Sequence, residues 1–272
     1  MQKPNSDSTL PEIISLLKET PHILNKELTN PDITVIYSNT IKKFTDFHRI
    51  RVVEKSNGKK IEELFWIRMV KNRPTNEINQ VLHKKFTIME KVYKYFRENN
   101  NTNINLSCCK PIAILPEEYR TLITRECSGQ IFNSFLRKHV PVFYKKKTLA
   151  HCFNLGVWLR NFHECFKEQT DSQFDLNKYK EQFRNKYDQD PQPDLCYITY
   201  CHNDFSPRNI FVADNSVEVI DFVGVEKGIP QADIEFFSNY ILTARFNGLY
   251  SESFKRQMIE RLLAGYERTF NE

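Results

Sequence analysis

The sequence predicts an α+β fold of two lobes, a small β-rich N-terminal lobe and a mainly helical C-terminal lobe. Between Ile33 and Val70 the chain reads as strands, because β-branched and aromatic residues alternate with polar ones. Later the texture becomes helical: in Thr148–Glu164, residues Leu149, Cys152, Phe153, Leu155, Gly156, Leu159 and Phe162 form one broad apolar stripe. At 272 residues the chain can supply two lobes with a good core. We place them at residues 1–126 and 127–272, with a hinge near 124–129.

The elements follow in order. Glu12–Glu19 reads as a short helix, and strands are expected at Ile33–Tyr37, His48–Glu54 and Leu64–Val70. Ser56-Asn57-Gly58 is a hairpin turn between the last two, since Asn-Gly accepts the positive φ values of a tight turn. A long helix is expected over Asn79–Asn99, then a strand pair at Pro111–Leu115 and Thr121–Glu126. Gly129 lets the chain turn into a helix at Ile131–Arg137. The polar stretch Asp171–Asp194, closed by Pro191 and Pro193, reads as an inserted helix and loop, where selectivity often resides. Cys196–Tyr200 is a strand, Ile210–Val212 and Val217–Ile220 form a hairpin around Asp214-Asn215-Ser216, and Phe237–Ala244 and Phe254–Tyr266 are terminal helices.

Composition excludes several classes. Seven glycines and 27% charged residues exclude a collagen-like or low-complexity chain. Met1–Ser8 is polar and no stretch approaches the ~20 apolar residues of a membrane span, so a cytoplasmic protein without a membrane span is expected. Seven cysteines, an odd number without C-x-x-C spacing, suit a reduced compartment with buried thiols rather than a zinc site. The net charge of +5 divides into −4 for residues 200–272 (seven basic, eleven acidic) and +9 for residues 1–199. That balance suits polyanionic ligands, while no recognition motif supports nucleic acid.

The most informative segment is Tyr200-Cys201-His202-Asn203-Asp204-Phe205-Ser206-Pro207-Arg208-Asn209, with Val217-Glu218-Val219-Ile220-Asp221 after it. An Asp and an Asn five residues apart share a loop, and a second Asp ends an apolar run twelve residues beyond the Asn. Phosphoryl transfer asks for this set: one carboxylate positions or deprotonates the attacking hydroxyl, while an amide oxygen and a second carboxylate hold Mg²⁺ against ATP. The segment resembles the catalytic loop of the aminoglycoside phosphotransferase and choline kinase family, within the protein-kinase-like superfamily. Those loops read His-Gly-Asp or His-Asn-Asp, four residues, Asn, then an apolar strand ending in Ile-Asp. Gly228-Ile229-Pro230-Gln231-Ala232-Asp233-Ile234 resembles the family's Asp-Pro-x-x-x-Asp-Leu segment, and the likeness covers about fifty residues. The resemblance implies a bilobal protein-kinase-like fold, Asp204 as catalytic base, Asn209 and Asp221 as metal ligands, and Asp233 as a brace for the loop.

Such a site also needs a cation on the third strand and a Glu on the following helix. Arg68 is preferred, lying inside the strand with Trp66 on the same face to stack on adenine; Lys71 is the alternative. Glu90 is favoured over Glu77 as the helix partner. No Gly occurs before residue 58, so phosphate contacts would come from hydroxyls and backbone N–H groups, at Ser38-Asn39-Thr40 or Thr45. Leu122–Gly129 resembles the crossing whose backbone, at Arg125 and Cys127, meets adenine. The expected activity is Mg²⁺- and ATP-dependent transfer to a hydroxyl of a small molecule, sugar-containing or amino-alcohol. A glycan or lipid-linked saccharide kinase and a non-catalytic pseudokinase are the alternatives. A protein kinase is disfavoured, because eleven residues separate Asp221 from Asp233 and no Ala-Pro-Glu segment follows.

Overall fold

The computed structural model describes residues 9–41, 45–56, 59–70, 75–99, 103–115, 119–139, 141–167, 175–246 and 250–267. In chain order the elements are α1 (Leu10–Glu19), β1 (Asp32–Ile41), β2 (Thr45–Ser56), β3 (Lys59–Val70), α2 (Thr75–Asn99), β4 (Asn105–Cys108), β5 (Pro111–Ile114), β6 (Thr121–Arg125) and β7 (Gln130–Ile131). Then come α3 (Phe132–Lys138), α4 (Pro141–Cys165), α5 (Leu176–Tyr187), β8 (Thr199–Cys201), β9 (Ile210–Ala213), β10 (Ser216–Val219), β11 (Glu226–Gly228), α6 (Gln231–Thr243) and α7 (Glu252–Glu267). They form two compact units, one of Met1–Glu90 with Cys109–Cys127, the other of Lys91–Cys108 with Ser128–Glu272.

The first unit is an antiparallel sheet ordered β1-β2-β3-β6-β5. In β3, Phe65, Ile67 and Met69 are buried while Leu64, Trp66, Arg68 and Val70 are half-buried, the alternation the sequence predicts. The buried face packs with Ile50 and Val52 of β2 and with Ile13 and Leu17 of α1 into one core. Thr9 N–H donates to Glu12 (2.7 Å) and fixes the start of α1. The buried Glu54 accepts from Thr29 N and Oγ1 and from Asn30 N, tying the approach to β1 onto β2. The strands β2 and β3 pair up to Ser56 opposite Lys59; the Asn57-Gly58 turn lies outside the described residues.

The second unit carries a sheet ordered β4-β10-β9-β7 and a β11–β8 ribbon among its helices. Residues 91–108, expected with the N-terminal lobe, belong to this unit. Phe96 stacks on Trp158 with centroids 5.5 Å apart, Trp158 Nε1 donates to Ser107 O (2.6 Å), and β4 pairs parallel with β10. Trp158 also stacks on Phe162 (5.3 Å) and on Phe205 (5.7 Å), so an aromatic column of α4 lies directly against the loop that holds Asp204. Helices α4 and α6 start a turn and a half or more before the residues periodicity suggests, at Pro141 and Gln231. In α6 the reason is that Gln231 and Asp233 are polar yet buried, which interrupts the apolar stripe.

Helices α4 and α7 touch backbone to backbone. A methyl at Gly156 would lie 1.9 Å from Leu262 O, and one at Gly265 would lie 2.0 Å from Phe153 O. The expected outcome for Gly156→Ala is a loss of about 3 kcal/mol or more, because the overpacking cost exceeds the ~1 kcal/mol that Ala gains in helix propensity. Urea denaturation checks it, and equal or greater stability than wild type would contradict the close approach.

Candidate active site

The loop from His202 to Asn209 joins β8 to β9 and is held from below by one carboxylate. Asp233, at the start of α6 and fully buried, accepts from His202 N (Oδ2, 2.7 Å), Asn203 N (Oδ1, 2.8 Å) and His163 Nε2 (Oδ2, 3.1 Å). Asn203 sits in the left-handed region at φ 61°, which Asn tolerates better than most residues, and its Nδ2 donates to Gly224 O (2.9 Å). The bracing role expected of Asp233 is thus visible as two backbone hydrogen bonds.

A second pair of bonds ties the loop to the end of β10. Ile220 N–H donates to Asn209 O (2.9 Å), and His202 Nε2 donates to Ile220 O (3.0 Å). Both sides of the Ile220 peptide are therefore fixed by the loop. The next residue, Asp221, is half-buried with φ 65°. A carbonyl can only accept, so Nε2 of His202 carries a proton; burial pushes the ring below its usual pKa against the pull of Asp233, keeping it neutral.

Within the loop, Asn209 Nδ2 donates both to Asp204 O (3.0 Å) and to Asp204 Oδ2 (2.8 Å). The structure so brings Asp204 and Asn209 together in direct contact. The amide Nδ2 orients the Asp204 carboxylate, and the Asn209 oxygen Oδ1 is a hard donor atom that these two bonds do not use. Phe205, the neighbour of Asp204, is fully buried on Trp158.

In the first unit, Arg68 and Trp66 share the half-buried face of β3, Arg68 over the Phe47 ring (5.4 Å) and Trp66 edge-on to Tyr37 (6.0 Å). Lys71 lies outside the described residues. Glu90 is exposed, whereas Leu82, Lys85, Met89 and Val92 form the buried side of α2. Arg125 is engaged within the sheet: its N–H donates to Lys110 O (2.9 Å) and its guanidinium pairs with Glu63. Cys127 is buried. Two of the hydroxyls suggested for phosphate contacts are also engaged, Ser38 with His48 Nδ1 (2.8 Å) and Thr40 with Asp46 (2.8 Å).

Sequence reasoning missed how far the brace extends. His163 Nδ1 meets Tyr266 OH (2.8 Å), and that hydroxyl meets Tyr197 OH (3.2 Å). Burial pushes both phenols upward in pKa, so each keeps its proton for hydrogen bonding. No linear signal links His163 to a tyrosine 103 residues away. Among the described residues, one group has the proximity of a metal cluster: the ligand atoms of His163, Cys201 and Asp233 lie within 4.8 Å. Its chemistry opposes a metal. Cys201 Sγ donates to Ile229 O, burial and then the Asp233 charge raise its thiol far up, and the Asp233 oxygens are already used. The cluster is structural.

No protein-family profile matches the chain, and no curated protein matches it in sequence. Solved structures do align. The amicoumacin kinase hAmiN in complex with AMP-PNP, Ca²⁺ and Ami is 11% identical, with 95% of this chain and 80% of that chain covered and a TM-score of 0.49. A choline kinase from Cryptosporidium parvum Iowa II is 13% identical over 95% of this chain and 80% of that one, TM-score 0.49. A choline/ethanolamine kinase family protein from Mesorhizobium loti is 10% identical over 95% and 76%, TM-score 0.44.

The buried histidines set a pH dependence. His151, edge-on to Phe132 and Phe135, is held down to about 4 by burial and then by the Lys147 charge, from an ordinary 6.5. Between those values the unfolded chain binds the extra proton, so stability is full above pH 6.5 and is lost as pH falls towards 4. His151→Phe should flatten that slope by up to about 1.4 kcal/mol per pH unit. Urea midpoints across this range test it, and an unchanged slope would mean the folded protein protonates His151 normally.

Proposed function

We propose that this chain is a phosphotransferase that uses Mg·ATP and a small-molecule alcohol, sugar-containing or amino-alcohol, as acceptor. The observation that carries the reading is the Asp204–Asn209 contact, held in register with Asp221 through the Ile220 peptide. The donor set fits a hard cation, since Asn209 Oδ1 and the Asp221 carboxylate offer oxygen only. Bound there, Mg²⁺ would neutralise charge on the phosphates.

The chain's own residues do the rest. Asp204 orients the acceptor hydroxyl and takes its proton late in transfer, and Asn209 keeps that carboxylate from rotating away. Arg68 is assigned to the phosphates, where a guanidinium can grip two oxygens at once, and Trp66 to the adenine face. Arg125 and Cys127 would contribute backbone groups only. Glu90 is the weakest assignment, because its exposed side chain offers no held anchor for Arg68. All seven cysteines are free thiols, which supports a reducing, cytoplasmic setting.

Two experiments test the proposal. Asp204→Asn should lower kcat by about 10²–10⁴ while Mg·ATP still binds, whereas Asp221→Asn should lose most Mg²⁺-dependent nucleotide binding. ADP release over a panel of sugars and amino alcohols, beside nucleotide titration, reads both; wild-type turnover in Asp204→Asn would refute the assigned base. Separately, Arg68→Ala should weaken ATP binding at least tenfold and more than Lys71→Ala does, about the ~1.4 kcal/mol of one charge-assisted contact. The reverse ranking moves the role to Lys71, and no effect from either supports a non-catalytic protein.

A further inference from the structure

The second unit presents a surface that phosphoryl transfer does not use. Residues 127–163 contain six Lys/Arg and no Asp or Glu. Five of the six cluster around the junction of α3 and α4: Arg137 and Lys138 end α3, while Lys145, Lys146 and Lys147 follow the first turn of α4. Between them stand Val142 and Phe143, 79% and 83% exposed. Among the described residues, the next most exposed large hydrophobic side chain is Tyr37 at 49%.

The junction is held firmly. His139 stacks on Phe135 (4.4 Å), Tyr144 packs edge-on to His139 (4.2 Å), Tyr250 OH donates to His139 O (3.4 Å), and Pro141 is buried. Tyr144 thus folds back onto the protein, and the two residues before it are turned outward as the helix begins. Exposure above three-quarters means no groove wall surrounds them; they form a protrusion. An apolar protrusion flanked by cations on both sides matches the interfacial region of a bilayer, where apolar side chains enter the acyl boundary and Lys/Arg remain at anionic headgroups.

We propose that the α3–α4 junction is a docking surface for an anionic lipid bilayer, with Val142 and Phe143 inserted and Arg137, Lys138 and Lys146 against the headgroups. Lys145 and Lys147 contribute less, because Lys145 lies over the Phe254 ring (5.8 Å) and Lys147 pairs with Asp214. Docking here is peripheral: no helix among the described residues is long and apolar enough to cross a membrane. The surface lies one short helix from the catalytic loop, since Asn133 N in the first turn of α3 donates to Pro207 O (2.8 Å).

Co-sedimentation of the full chain with phosphatidylcholine vesicles, with and without phosphatidylglycerol, tests the proposal. Binding is expected only with phosphatidylglycerol and should weaken as salt rises. Val142→Ser/Phe143→Ser should lower partition at least tenfold, and Lys138→Gln/Lys146→Gln about 25-fold, roughly fivefold per cation. Thermal unfolding of each variant should match wild type, since these side chains are exposed. Failure of the wild type to bind anionic vesicles, or undiminished binding by the Val142/Phe143 variant, overturns the proposal. A dimer in light scattering that the same variant dissolves would instead assign the surface to a second copy. Capture on immobilised polyglutamate without vesicle binding would assign it to an acidic polypeptide.

Discussion

The second unit depends on one buried carboxylate. Asp233 is withdrawn from water, and an ionised carboxylate in that position is tolerated only when its lone pairs are met by donors. Two of those donors are the consecutive amides of His202 and Asn203, so the backbone just before Asp204 cannot move without leaving the charge uncompensated. The third donor, His163, belongs to α4 and is itself held by Tyr266 of α7. A single side chain on α6 therefore sets the loop, α4 and α7 in one frame. Truncating such a hub costs several kcal/mol because the remaining buried groups lose their partners.

The loop was legible in sequence because its chemistry is local. His202, Asp204 and Asn209 stand within eight residues, and the hairpin that follows carries ordinary strand and turn residues up to Asp221. The first sheet was legible for a similar reason, since β3 alternates cleanly between a buried and a half-buried face. What escaped depends on distant partners. The strand β4 is four residues long with three consecutive buried positions, and only its parallel partner β10 makes it a strand. The strand β11 is likewise defined by β8. The start of α6 was hidden because Asp233 and Gln231 face inward for hydrogen bonding rather than for apolar burial. Glu90 shows the same limit: helical spacing identified α2, but nothing local says which side of the helix is buried, and Glu90 is exposed.

Neutral polar groups reinforce this frame. His202 is buried as an Nε2–H donor to Ile220 O, and a charged ring there would lack a second acceptor of adequate strength. Tyr266 and Tyr197 remain phenols because burial opposes ionisation, so the chain from Tyr197 to Asp233 consists of directional hydrogen bonds ending in one charge. Phe205 and the Trp158 column fill the space beneath. Hydrogen bonds to Asp233 and Ile220 and aromatic packing thus fix the same eight-residue loop from different sides.

Helix α4 links these features mechanically. Its 25 residues span about 37 Å, with Val142 and Phe143 near one end and His163 near the other. Where Gly156 meets Leu262 and Gly265 meets Phe153, the backbones of α4 and α7 touch with no side chain between them to yield. Rotating or sliding α4 by even a fraction of a turn would press those backbones together and withdraw His163 from Asp233. The helix is consequently a rigid strut: a load applied where Val142 and Phe143 protrude reaches the buried carboxylate through packed backbone rather than through flexible side chains. The loop from His202 to Asn209 is tied to that strut through Asp233 and His163 and to α3 through Pro207, so both helices that flank the protruding Val142 and Phe143 bear on its geometry.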